Sequence, residues 1–227
     1  MTATLVETAT QTPHTRRSTH HRPKWLVAAD HAAILLFAFE GALLGIAGGL
    51  DLIGVLAVAF LSSLGGGLIR DVLCHTIPPA ALNSATYPAT ALFGGLIAIV
   101  GHQTLAPIPP TVRAPLDAAA LALFCTVGTI KALDVAMRPL AAIVLGAMSA
   151  VGGGIIRDVL LGTIPTALRN DMCAVAALCG ASATVVALRF GASRPAAAAA
   201  GLITCAGLSL LSAAQGWQMA PITAQPG

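Results

Sequence analysis

The sequence predicts an all-α membrane protein of seven transmembrane helices, built as an inverted 3+3 repeat plus a seventh helix. Three observations predict it. Of the 227 residues, 56% are hydrophobic and only 9% charged, with a mean hydropathy of +0.85; soluble domains run at roughly 45–50% apolar and about 25% charged. Most of the chain consists of apolar runs of roughly 17–25 residues, enough to cross a hydrocarbon core about 30 Å thick. The stretch GGGLIRDVL at Gly65–Leu73 also returns as GGGIIRDVL at Gly152–Leu160.

The polar N-terminal stretch, rich in Thr, His and Arg, has no apolar periodicity, so residues 1–28 read as a disordered cytoplasmic tail. A signal peptide is not expected, because the apolar run that follows contains Glu40 and has no small-residue cleavage site after a short core. His20 and His21 could bind metal, but a solvated tail accounts for them, and no metal site or cofactor is expected. Seven spans follow, at 29–48, 51–73, 84–101, 116–136, 139–161, 171–190 and 195–215, separated by breaks such as HTIPPA, GTIPTALRND and GASRP that carry the usual helix stoppers. They group into a first repeat at 29–115, a second at 116–194, the seventh helix at 195–215 and a short tail at 216–227. The five cysteines form no Cys-x-x-Cys pair and read as small buried hydrophobes. The net charge of +3 comes partly from the tail, which suits anionic lipid headgroups rather than nucleic acid.

The two glycine motifs lie 87 positions apart, and residues 65–78 and 152–165 agree at 11 of 14 places without a gap. The same offset pairs Asp30 with Asp117, Leu36-Phe37 with Leu123-Phe124, and Gly41 with Gly128. That is an internal duplication. Each copy holds an odd number of spans, so the second must start from the opposite face. Inverted repeats with interrupted helices are a recurring plan for proteins that pass a solute near the midplane.

Glycine costs up to about 1 kcal/mol per residue inside a helix, so three in a row invite a kink or local unwinding. Gly65, Gly66 and Gly67 lie about 21 Å into their span, and Gly152, Gly153 and Gly154 approach from the other face; the triplets would bracket a central constriction of about 10 Å. Freed carbonyls there must be satisfied by protein, water or ions, and could coordinate a cation. The plainer alternative is close helix packing. Duplication and the neighbouring charges favour the pore.

Arg70-Asp71 and Arg157-Asp158 should lie toward opposite membrane faces, one pair near each mouth. Neighbours in sequence do not face each other on a helix, so each charge is expected to pair with another element rather than with its adjacent partner. The alternative is a snorkelling arginine with a structural bridge at a helix end. Glu40 and Lys131 are the remaining intramembrane charges considered, and inversion could bring them together as a pair. Catalysis is not expected: no His-Glu-x-x-His site, nucleophile elbow or phosphate loop is present, and GGGLIRD follows a membrane helix rather than a strand.

The runs FAFEGALLG, LDLIGVLAVAFLSSLGGGLIRDVL and IPPAAL, followed by LDAAALALFCTVGTIKALD and PLAAIVLGAMSAVGGGIIRDVLLGTIPTALR, resemble the bacterial branch of the trimeric intracellular cation (TRIC) channel family. Its domain is also labelled a glycine transporter domain. The resemblance covers about residues 30–210. It implies a homotrimer in a bacterial cytoplasmic membrane, one pore per protomer, and conduction of potassium and sodium. It also implies that both glycine triplets kink beside the pore, that Arg70, Asp71, Arg157 and Asp158 complete the motifs, and that Lys131 matches the basic position of the fourth helix. Many relatives carry a small residue where Glu40 stands, so its role does not transfer. The alternative function is a secondary transporter of glycine or another small zwitterion, with helix ends holding carboxylate and amine; a scaffold without transport is a third. With the tail inside, nine basic residues fall on the cytoplasmic side against three outside, which favours a cytoplasmic N-terminus.

Overall fold

The computed structural model describes residues 23–105, 110–168 and 172–217. Seven long helices carry the fold: α1 (Lys24–Ala47), α2 (Leu52–Leu73), α4 (Thr86–Leu105), α5 (Pro110–Asp134), α6 (Pro139–Leu160), α7 (Cys173–Arg189) and α8 (Arg194–Gln215). A four-residue helix, α3 (Ala80–Asn83), and a 3-10 turn at Thr166–Leu168 follow α2 and α6 in matching places. Among the described residues, five of the long helices are both long and apolar enough to span a bilayer; α7 has 17 residues, and α4 carries polar residues at both ends.

The starts of α1 and α5 depart furthest from the sequence reading, and α4 runs to Leu105 rather than 101. Helix α1 begins at Lys24, because Pro23 in an extended conformation starts it and Trp25-Leu26 already pack against the bundle. Helix α5 begins at Pro110 rather than 116, with Pro115 inside it one turn past the start, where it removes one backbone hydrogen bond. The rest of the expected N-terminal tail, residues 1–22, lies outside the described residues, as do 218–227 of the C-terminal one.

The inversion is legible in the contacts. Within the first repeat, His31 of α1 meets Thr86 and Tyr87 of α4, and further along Leu35 and Ala38 meet Gly94, so α1 and α4 run parallel. Between repeats, Asp30 meets Lys131 and Phe37 meets Phe124, so α1 and α5, the first helices of the two copies, run antiparallel. Helices α2 and α6 cross with the same sense: Gly66 lies against Ser149 and Gly153 against Ser62, and both pairs are related by the repeat offset. A pseudo-two-fold axis therefore passes between Phe37 and Phe124 and through the α2–α6 crossing. One apolar core, including Ile34, Phe37, Leu64, Leu121 and Phe124, is shared by both copies. Helix α8 packs on α7 and α5, with Gly180 and Gly201 letting the α7 and α8 backbones approach.

The ends of α2 and α6 repeat each other as well. After α2, His75 takes a left-handed conformation (φ 54°), and after α6 Gly162 does (φ 68°). In both, the next amide returns to the motif aspartate's carbonyl: Thr76 to Asp71 and Thr163 to Asp158, each at 2.9 Å. This is the glycine-type helix stop, with histidine occupying the glycine position in the first copy.

Candidate functional site

The glycine triplets do not unwind their helices. Both α2 and α6 are α-helical throughout, so no freed carbonyls arise there. Nor do the triplets bracket a gap, because they meet. A methyl group on Gly66 would press on the Ser149 carbonyl oxygen, and one on Gly153 would stand 2.5 Å from that of Ser62. Gly65 faces Ile156, and Gly152 faces Gly66 and Ile69. The third glycines behave differently: beside Gly67 and Gly154 the nearest atoms are the guanidinium groups of Arg70 and Arg157, one turn on in the same helix. Gly66 and Gly153 bring the two backbones together with Gly65 and Gly152 beside them, and the third glycines lie alongside an arginine that folds back along its own helix. Close packing, the plainer expectation, describes the contacts at the crossing.

Each arginine meets an acid on α1, as expected, and also its adjacent aspartate, which helix geometry did not lead one to expect. Arg70 Nε donates to Asp71 Oδ1 at 2.8 Å and Arg157 Nε to Asp158 Oδ1 at 2.9 Å. A long arginine can curl back along its own helix, so side-chain reach overrides the angular separation of neighbouring positions. The other aspartate oxygen anchors the chain that returns toward the membrane. Asp71 Oδ2 accepts from the Ala80 amide at 3.0 Å, and Asp158 Oδ2 accepts from both the amide and the hydroxyl of Thr166, at 2.8 and 3.0 Å. The repeat partner of Thr166 is Pro79, which has no N–H, so in the first copy the bond moves one residue on.

Around these motifs stand two buried charge clusters. In the first, Asp30 of α1 accepts from Arg70 Nη1 at 3.2 Å and from Lys131 Nζ of α5 at 2.5 Å. Arg70, Asp30 and Lys131 are all buried. In the second, Glu40 Oε1 lies 3.0 Å from Arg157 Nη1 and 3.7 Å from Arg113 Nε, and its carboxyl faces that of Asp117. The expected Glu40–Lys131 pair does not form. Antiparallel α1 and α5 set Lys131 opposite Asp30 and place Asp117 and Arg113 beside Glu40. Asp30 and Glu40 lie ten positions apart on α1, about 15 Å, so the clusters occupy two levels of the bundle with the phenylalanine pair between them. A small cavity of ≈ 10 Å³ beside Asp30 and Arg70 reaches Ser63, Gly67 and Phe124, room for about one water.

Asp30 is the functional candidate that reading the charges in sequence passed over. Its signal was present, since Asp30 and Asp117 are an acidic pair kept at the repeat offset inside two spans. Among the described residues no group of three metal-ligating side chains occurs.

The comparisons agree with this architecture. The glycine transporter family matches twice, over residues 27–103 and 115–189, one match in each copy. A UPF0126 membrane protein of Deinococcus radiodurans is 41% identical over 161 residues, covering 70% of this chain and 73% of that one. The inner membrane protein YadS of Escherichia coli is 35% identical over 156 residues, 69% and 74% of the two chains. Among solved structures, one from work on conductance through TRIC cation channels superposes with a TM-score of 0.81 at 27% identity, over 88% of this chain and 98% of that one. The TRIC orthologue of Rhodobacter sphaeroides does so at 0.79 and 29%, over 86% and 100%. This multi-pass membrane protein thus belongs to the glycine transporter family, on its bacterial TRIC-type branch.

Proposed function

We propose that the chain is a passive channel for monovalent cations, chiefly potassium and sodium, working as a homotrimer in a bacterial cytoplasmic membrane with one pore in each protomer. The repeats are taken as 29–115 and 116–194 with 195–215 appended, and the N-terminus as cytoplasmic. The observation that carries the reading is the pseudo-two-fold crossing of α2 and α6 between two buried charge clusters, in a fold shared along its length with solved TRIC cation channels. In this reading Gly65, Gly66, Gly152 and Gly153 set the α2–α6 spacing along the pathway, and Gly67 and Gly154 lie beside the motif arginines. Arg70, Asp71, Arg157 and Asp158, with Asp30, Lys131 and Glu40, supply the charge at its two ends. Their near-balance lets a cation approach without the barrier that a lone arginine would raise. Both clusters are packed in this structure, so passage requires at least one of them to part.

The family's description as a glycine transporter favours a second reading, alternating access for a small zwitterion. Proteoliposomes loaded with potassium chloride and diluted into N-methylglucamine chloride separate the two. A channel releases potassium and leaves an inside-negative potential. Release no faster than from empty liposomes, together with exchange of radiolabelled glycine, would replace the channel with the transporter.

A further inference from the structure

The two clusters are not electrical copies of each other, and the difference lies at three positions: Lys131, Glu40 and Arg113, whose repeat counterpart is Leu26. The duplication supplies each with an aspartate from the first helix and an Arg-Asp pair from the second: Asp30 with Arg70 and Asp71, and Asp117 with Arg157 and Asp158. The first cluster adds Lys131, whose repeat counterpart is Leu44; the second adds Glu40, whose counterpart is Val127. Two carboxylates therefore face two cations in the first cluster. In the second, three carboxylates face Arg157 and the half-exposed Arg113.

Hydrogen bonding shows where the imbalance falls. Asp30 uses both oxygens, one on Arg70 and one on Lys131. Glu40 has taken the place beside Arg157 Nη1 that Asp30 holds beside Arg70 Nη1, and both of its cationic neighbours approach Oε1. Both Glu40 carboxylate oxygens are buried without a hydrogen-bond partner, and Oε2 is the one that neither cationic contact reaches. A bare carboxylate oxygen in a membrane interior is costly unless a cation meets it. Glu40 is 3% exposed, while Asp117 beside it is only partly buried and Arg113 is exposed, so this cluster lies nearer the surface on its α5 side.

We propose that Glu40 Oε2 and the facing carboxyl of Asp117 form a binding site for one monovalent metal cation, potassium or sodium, for which a proton competes. The site deepens the channel reading and rests on it for its role: it loads the permeating ion at the mouth opposite Asp30, and makes this mouth the more cation-attracting of the two. The groups around it are few. Helix α5 brings Asp117 and Arg113, and α6 brings Arg157 with Asp158 behind it. Helix α2 faces this part of α1 with Ser62 and Ala59. Helix α4 has no charged residue, and its His102 bonds the Ile99 carbonyl; α8 packs on α5 and buries Cys205 there.

Binding can be read without conduction, from the thermal unfolding of the detergent-solubilised protein as potassium chloride replaces N-methylglucamine chloride at constant ionic strength. A cation that binds only the folded state raises the unfolding temperature with its concentration. The wild type should show that rise at neutral pH and lose most of it in acid; Glu40→Asp should retain it, and Glu40→Gln should lose it. An equal rise in wild type and Glu40→Gln, or none in the wild type, overturns the site. Stabilisation by acid alone, with no response to potassium or sodium, also overturns it and leaves a proton as the occupant. A wild type that binds potassium but carries no current would leave the site standing and remove the channel.

Discussion

Phe37 and Phe124 hold the same place in the two repeats and touch each other, ring centroids 5.3 Å apart and planes inclined by 54°. A residue that meets its own repeat image lies on the symmetry axis, so this pair marks the centre of the protomer. Both rings are buried. Phe37→Ala and Phe124→Ala should each cost about 3–5 kcal/mol, and the double mutant less than their sum because they share one contact. Thermal unfolding of the four proteins in detergent checks this; strict additivity would count against a shared contact.

The glycine triplets should divide by position. Gly66→Ala and Gly153→Ala place a methyl against a backbone carbonyl across the crossing, which cannot yield as a side chain would, and should destabilise by about 1–3 kcal/mol. Gly67→Ala and Gly154→Ala meet only guanidinium groups at 3.6 and 3.9 Å, so stability should hold. Comparing unfolding temperatures of the four variants is sufficient, and equal losses at all four would refute the division.

Asp30 joins Arg70 of its own repeat to Lys131 of the other. Asp30→Asn leaves two buried cations without their shared carboxylate and should destabilise by about 3–5 kcal/mol. Asp30→Asn with Lys131→Met should recover part of that loss, as seen in the yield and unfolding temperature of folded protein. No recovery would mean that Lys131 is not held by Asp30.

The helix stop after α2 offers a gain. His75 adopts the left-handed conformation that Gly162 adopts in the second copy, at a cost of about 1–2 kcal/mol for a side-chain-bearing residue. His75→Gly should therefore raise stability by about 1 kcal/mol, while Gly162→Ala should lower it. A destabilised His75→Gly would show that the imidazole makes a compensating contact.

The duplication, the seven-helix architecture and the inversion were legible because they rest on offset and parity, which sequence records directly. The partners of the charges were less so. Matching Lys131 to Glu40 followed the repeat alignment, but contacts across an antiparallel pair pair low numbers on one helix with high numbers on the other. That register sets Asp30 against Lys131. The adjacent Arg-Asp bonds were hidden for another reason: they depend on each arginine folding back along its helix, and the triplets suggested a broken helix where Gly66 and Gly153 needed only room at the crossing. The one-residue shift from Thr166 to Ala80 was present in the sequence as a missing amide at Pro79, but it acquires meaning only once Asp71 and Asp158 are seen to hold the returning chain.

The most direct test is the current carried by purified protein in a planar bilayer under a potassium chloride gradient. The account predicts discrete current steps that reverse near the potassium equilibrium potential, with sodium able to replace potassium. Reversal near the chloride potential, or silence from protein that exchanges radiolabelled glycine in proteoliposomes, would contradict it.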